Sequence, residues 1–308
     1  MTTLRLAHSP DSDDLVMWWP LTGMRGPDGS PVAGPLGTPR IDTEGLAFEL
    51  VAEDVEALNA AVRGEDGSLD ITAISAATYP AVKDRFAITR CGGSFGEGYG
   101  PKVVVSEGSP IASLEDLRGK KIAVPGLGTS AFLTLSMALG STPGKAAFTP
   151  EPMLFSDVPG AVISGACDAG LLIHEAQLTF ADLGLRAVVD LGQWWGGQTD
   201  LPLPLGLNVI RRDLDKRVDG GMAKVSRVLM RSVEYATSHA KESQEYLLLH
   251  SEDRPEWRDP ALVEKYLSMY VSRMSLDMSD RGLMALRRFL GDGHESGLCL
   301  DAGTIEVV

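Results

Sequence analysis

A histidine and a glutamate stand side by side at the end of an aliphatic run in DAGLLIHEAQLTF, residues 168–180. Imidazole has an unperturbed pKa of about 6.5, so His174 has the chemistry to take or give a proton near neutral pH. Glu175 or Asp168 could orient it, but neighbours on a strand point to opposite faces, which counts against a direct His174–Glu175 pair. The run reads as a buried strand, and in α/β proteins ligands sit outside the carboxyl ends of such strands. On pattern alone His174 is either a base or an ordinary histidine at a strand end, and both readings stand.

A second constellation is GLGTSAF (126–132). A glycine turn opening a helix exposes backbone N–H groups, and the Thr129 and Ser130 hydroxyls add donors, which suits a carboxylate or phosphate. No lysine follows the glycines, and the spacing is not that of a dinucleotide site. The alternative is an ordinary capped helix. Ser75, at the strand end of LDITAISAATYPAV (69–82), either offers a hydroxyl to a ligand or caps the next helix. The three carboxylates of PDSDD (10–14) lack the glycine and bidentate glutamate of a calcium loop, so they read as solvated acids at a helix start, capped by Asp11 or Ser12. The tryptophans of GQWWGGQTDLPLPLG (192–206) either cover a ring-bearing ligand or plug the core. His8 is the next histidine in interest, because it precedes the acidic turn; His239, His250 and His294 have weaker cases. No nucleophile elbow is present, and Cys167 has no recognisable partner.

These residues need strands and helices to position them. Strands are expected at 4–9, 101–108, within LRAVVDLGQWW and in LPLGLNVIRRDL, with strand–helix pairs at 47–64, 69–82 and 121–139. Helices dominate after residue 213, and the Gly/Pro-dense segment 23–40 reads as a surface excursion. GGSFGEGYG (92–100) reads as a flexible connection. Strands alternating with helices in two groups predict an α/β protein of two lobes with mainly parallel sheets and a cleft between them. Lobe 1 is expected at 1–103 and 208–308, lobe 2 as an insertion at 104–207. The chain has 308 residues, 28 basic against 42 acidic, for a net charge of −14. No basic stripe is visible, so nucleic acid is not an expected partner. Apolar runs are far too short to span a bilayer, and the start lacks the apolar core of an export signal, so no membrane partner and a cytoplasmic location are expected. Three dispersed cysteines argue against a disulfide framework and a zinc site.

Taken in order, SPDSDD, EDVEALN, GEGYGP, AVPGLGTSA, DAGLLIHE, DLGQWW, LPLPLG and RSVEYA resemble the 1,4-dihydroxy-6-naphthoate synthase family of the futalosine route to menaquinone. The resemblance implies a two-lobed, periplasmic-binding-protein-like (type 2) fold, shared with the related chorismate dehydratase branch. It implies a lyase that converts the anionic aromatic precursor cyclic dehypoxanthinyl futalosine to 1,4-dihydroxy-6-naphthoate, releasing a sugar-derived fragment, with no metal or redox cofactor. It implies that His174 is the base, presented uncharged in a dry cleft. Thr129, Ser130, Ala131 and Ser75 would then bind substrate, the hydroxyls and helix-start amides of the first two holding its carboxylate. Three segments depart from the family: Asp11-Ser12-Asp13-Asp14-Leu15 stands where it has Cys-Pro-Asn-Asp-Thr, the excursion at 23–40 is longer than usual, and Ala176-Gln177-Leu178-Thr179 drops an arginine. The extra acid and the missing cation both disfavour an anionic ligand. A related enzyme acting on another aromatic or enol carboxylate, and a non-catalytic binder of small carboxylates, are the alternatives. The oligomeric state is left open.

Overall fold

The structure is a computed structural model that describes residues 2–64, 68–252 and 254–308. Its strands are β1 (Thr2–His8), β2 (Leu46–Ala52), β3 (Ile71–Ser75), β4 (Phe86–Ile88), β5 (Ser94–Gly96), β6 (Lys102–Ser106), β7 (Lys121–Val124), β8 (Thr149–Pro152), β9 (Ala169–Leu172), β10 (Leu185–Asp190) and β11 (Leu203–Arg211). They form two sheets, one ordered β2-β1-β3-β11-β4 with β5 also on β11, the other ordered β10-β6-β9-β7-β8.

The sheets are mixed rather than mainly parallel. β1 runs parallel to β2 and β3, and β7 runs parallel to β8 and β9. β11 is antiparallel to β3, β4 and β5, and β6 is antiparallel to β9 and β10. The antiparallel strands are those next to the chain crossings. The chain leaves the first sheet after β5, builds the second from 102 to 190, and re-enters the first as β11.

β3 and β9 are buried along their whole length, which explains the near-continuous apolar runs ITAIS and AGLL. The helix Gly221–Ser238 turns Met222, Val225, Val228, Leu229 and Val233 onto one face, and that face packs with Leu4, Leu6, Ile71 and Ile210 of the first sheet. The helix Ser279–Glu295 does the same with Leu286, Phe289 and Leu290. These last residues belong to a cluster that also holds Val103 and Val105 of β6 and Ile122 and Val124 of β7, so one apolar core runs across both lobes.

The segment GQWW is helical, not strand. Asp190 caps the helix Leu191–Thr199 by accepting the N–H groups of Gly192 and Gln193. The start of this helix lies so close to the inter-sheet connection that a Cβ on Gly192 would come within 1.9 Å of the Tyr99 carbonyl oxygen. Trp195 is fully buried, packs edge-on against Phe289 and donates its indole N–H to the Pro202 carbonyl. Of the two readings for the tryptophan pair, the structure supports core packing. The excursion at 23–40 is largely exposed, and Met24 anchors it beside Trp19 and Tyr246.

Candidate active site

Between the sheets lies a cavity of about 710 Å³, its open mouth included. His174, Ser75, Thr129, Ser130 and Ala131 all line it. The structure therefore brings these five candidates to one place. His8 does not line it; its ring is buried and its Nδ1 meets the Ser9 carbonyl.

His174 follows β9 by two residues and has φ +55°, a left-handed conformation that is uncommon for a side chain other than glycine. That turn breaks the strand's alternation and separates His174 from Glu175. Neither Asp168 nor Glu175 orients the ring. The Asp168 carboxylate instead accepts the Lys121 backbone N–H. The partner is Asp11, whose Oδ2 lies 2.5 Å from His174 Nδ1. Asp11 is the N-cap of the helix Ser12–Trp18, but its carboxylate makes no capping bond. The Phe155 ring meets the imidazole edge-on at 4.7 Å. His174 Nε2 is buried and has no partner among the described residues.

Glu175 faces the same helix. Its Oε1 accepts from the Ser12 hydroxyl at 2.9 Å, the Ser12 N–H at 3.3 Å and the Trp257 indole N–H at 3.1 Å. Gln177 is buried and donates to the Tyr270 hydroxyl at 2.8 Å. Asp13 accepts from Tyr266, and Asp14 accepts the Ser9 N–H and the Trp18 indole N–H. The acids of PDSDD are thus buried, contrary to the solvated reading. They follow β1 directly, at the carboxyl edge of the sheet, and that position was the signal available in the sequence.

Charge follows from this packing. Burial alone pushes His174 towards its neutral form, but the Asp11 carboxylate, with Glu175 and Asp13, outweighs it and lifts the pKa to about 9. The ring is therefore a cation at neutral pH, not the uncharged imidazole expected from the sequence. Burial and the neighbouring Asp11 push Asp14 up to about 7, against the N–H groups of Ser9 and Trp18 that favour its ionised form. Asp13 is raised as well, by burial first and then by Asp11 and Asp14. Among the described residues no lysine or arginine lines the cavity, and no group of three or more His, Cys, Asp or Glu is placed to hold a metal ion.

The rest of the lining offers donors. Thr129 caps the helix Ser130–Ala138 by accepting the Phe132 N–H, and its own hydroxyl hydrogen goes to the Gly126 carbonyl. Ser130 gives its hydroxyl hydrogen to the Leu205 carbonyl and accepts the Ala77 N–H. Both hydroxyls are committed to the protein. What remains for an anion is the pair of first-turn amides at Ser130 and Ala131, ahead of the first helical bond from Leu133 N–H to the Thr129 carbonyl. Ser75 differs. Asn59 Oδ1 accepts the Ser75 N–H, so its Nδ2 must donate to Ser75 Oγ, which leaves the serine hydrogen available. Asn208 and Ser94, which no sequence pattern marked, also line the cavity, each with a buried oxygen lacking a partner among the described residues. Both oxygens are available to a polar group in the cavity.

Comparison with known proteins places the chain in a family. The family model described as menaquinone biosynthesis matches residues 4–295. A 1,4-dihydroxy-6-naphthoate synthase of Thermus thermophilus is 35% identical, with 97% of this chain and 96% of that protein covered. The synthase of the same description from Streptomyces coelicolor is 30% identical, with 96% and 94% covered. Among solved structures, a protein of Archaeoglobus fulgidus superimposes with a TM-score of 0.79 at 36% identity, covering 96% of this chain and 98% of that one. An alkanesulfonate-binding protein of Xanthomonas axonopodis superimposes with a TM-score of 0.66 at 16% identity, covering 99% and 96%, which shows the shared periplasmic-binding-protein-like fold.

Proposed function

Because the chain belongs to the menaquinone-biosynthesis family, we propose that it is a lyase that converts cyclic dehypoxanthinyl futalosine to 1,4-dihydroxy-6-naphthoate, with His174 as general base. One observation carries the role of His174: Nδ1 is fixed by Asp11, while Nε2 is buried, unpartnered and on a residue that lines the cavity. Once it has released its own proton to solvent, Nε2 takes one from the substrate. The electron pair left behind enters the ring, which becomes aromatic as the bond to the sugar-derived portion breaks; that fragment leaves with the bonding electrons and takes up a proton, and no electrons pass to an outside carrier. General base catalysis of this kind contributes about 10²–10⁴-fold, and fixed orientation in a cleft that excludes water adds to it.

The donors and the acids of the lining suit different parts of the substrate. A carboxylate belongs at the Ser130 and Ala131 amides and the Ser75 hydroxyl, away from Asp13 and Asp14. The hydroxyl-rich portion then faces the acids, which accept hydrogen bonds. Residues 1–103 with 208–308 would form one jaw and 104–207 the other.

The test is direct. The purified protein is incubated with cyclic dehypoxanthinyl futalosine, and the naphthoate is sought by mass spectrometry. Turnover is expected in the wild type and its loss in His174→Ala, with substrate binding kept. Binding without any turnover in the wild type would show a receptor and overturn the enzymatic reading.

A further inference from the structure

We infer that Asp11 is the positioning residue of the base, and that His174 is complete only when the two lobes meet, because the pair draws one member from each. The inference rests on the reading of His174 as the reacting group. Asp11 sits where β1 of the first sheet passes into the helix Ser12–Trp18, and His174 sits at the end of β9 in the second sheet. The contact is not isolated. Consecutive residues on each side are matched, Asp11 to His174 and Ser12 to Glu175, so the helix start and the strand end are held in register at two points. Asp11 forgoes the capping bond that an aspartate at this position normally makes. The carboxylate is spent on the imidazole instead.

The consequence is chemical. With Nδ1 bound to a carboxylate, the ring has one tautomer available when it loses a proton, and the free lone pair is then on Nε2. The other charged or titratable groups around the ring are Asp13 and Asp14 on the same helix, Asp54 at the start of the helix Val55–Arg63, Glu175, and Tyr266 and Tyr270 on the helix Pro260–Tyr270. Arg254 lies over the Phe155 ring that packs on the imidazole. The carboxylate that meets Nδ1 is that of Asp11.

Asp11→Asn keeps an acceptor for Nδ1–H and removes the charge, whereas Asp11→Ala removes both. In Asp11→Asn the ascending limb of kcat/KM against pH should move down from about 9 by about one to two pH units, because the burial that disfavours the cation is then opposed only by Glu175 and Asp13. The high-pH plateau should fall about tenfold or more, since a weaker base transfers protons less well, and Asp11→Ala should lose further activity with KM little changed. A purely structural role would lower activity without moving the limb. A limb that stays put in Asp11→Asn overturns the inference. The His174 ring is also titrated by nitrogen NMR in the wild type, which requires neither turnover nor a folded variant. A midpoint near 9 with the proton on Nδ1 is expected, and a midpoint at or below 6.5 overturns the pairing even if the naphthoate reaction proves not to be the protein's own.

Discussion

Raising the pH should weaken the fold through His174, and the size of the effect follows from its surroundings. The ring has a folded-state pKa of about 9 and an unfolded value of about 6.5. Below 6.5 both states hold the proton and the stabilisation is complete; above 9 both lose it and the stabilisation is gone. Between pH 7 and 9.5 the linkage relation gives a loss of roughly 2 kcal/mol. Asp14, raised to about 7, acts in the same direction but earlier. Its ionisation costs the folded state nothing below its unfolded value and the full amount above 7, so it contributes little change beyond neutrality. Asp13, raised in the same way, and the buried Cys91 thiol, pushed up to about 12, also oppose folding as the pH rises, so the imidazole's share is read by comparison with a variant that lacks it. Urea unfolding followed by tryptophan fluorescence reads the slope. With a denaturant dependence of about 3 kcal/mol per molar for a chain of this length, the midpoint should fall by about 0.7 M over that interval. His174→Gln should make the slope shallower by about that amount. A wild-type midpoint that is flat or rising across the interval, or a variant that falls as steeply, would refute the assignment.

Glu175→Ala strands the Ser12 hydroxyl and N–H and the Trp257 indole without an acceptor, and should cost about 3 kcal/mol in guanidinium unfolding, with Glu175→Gln recovering most of it. Ser75→Ala removes a hydroxyl whose hydrogen faces no protein acceptor, so steady-state kinetics should show KM raised about tenfold with kcat nearly unchanged. Trp195→Ala should lower stability by about 3–5 kcal/mol in thermal or denaturant unfolding and leave KM alone, because the ring packs in the core and does not line the cavity.

The sequence carried the two-lobed plan because strand and helix periodicities alternate in two groups, and it carried the candidate residues because they fall at strand ends and helix starts. What it hid was direction and partnership. β11 pairs antiparallel because the chain comes back from a second sheet, and nothing in LPLGLNVIRRDL records the direction of arrival. GQWW looks apolar enough for a strand, but Asp190 turns it into a helix by capping. Asp11 and His174 are far apart in the chain, so their pairing has no local signature, and three clustered acids look solvated until β1 carries them to the sheet's ligand-binding edge. Thr129 and Ser130 show the converse: their place was legible, but not that their hydroxyls face protein carbonyls.

The route of β11 also governs how the molecule is made. The five strands of the second sheet are contiguous, from 102 to 190, while the first sheet waits for 203–211 to fill the gap between β3 and β4. On the ribosome the later-starting sheet is therefore the earlier to finish, and β3 keeps a bare edge until the chain has come back. A translational pause placed ahead of β11 prolongs that exposure, and one placed after it does not.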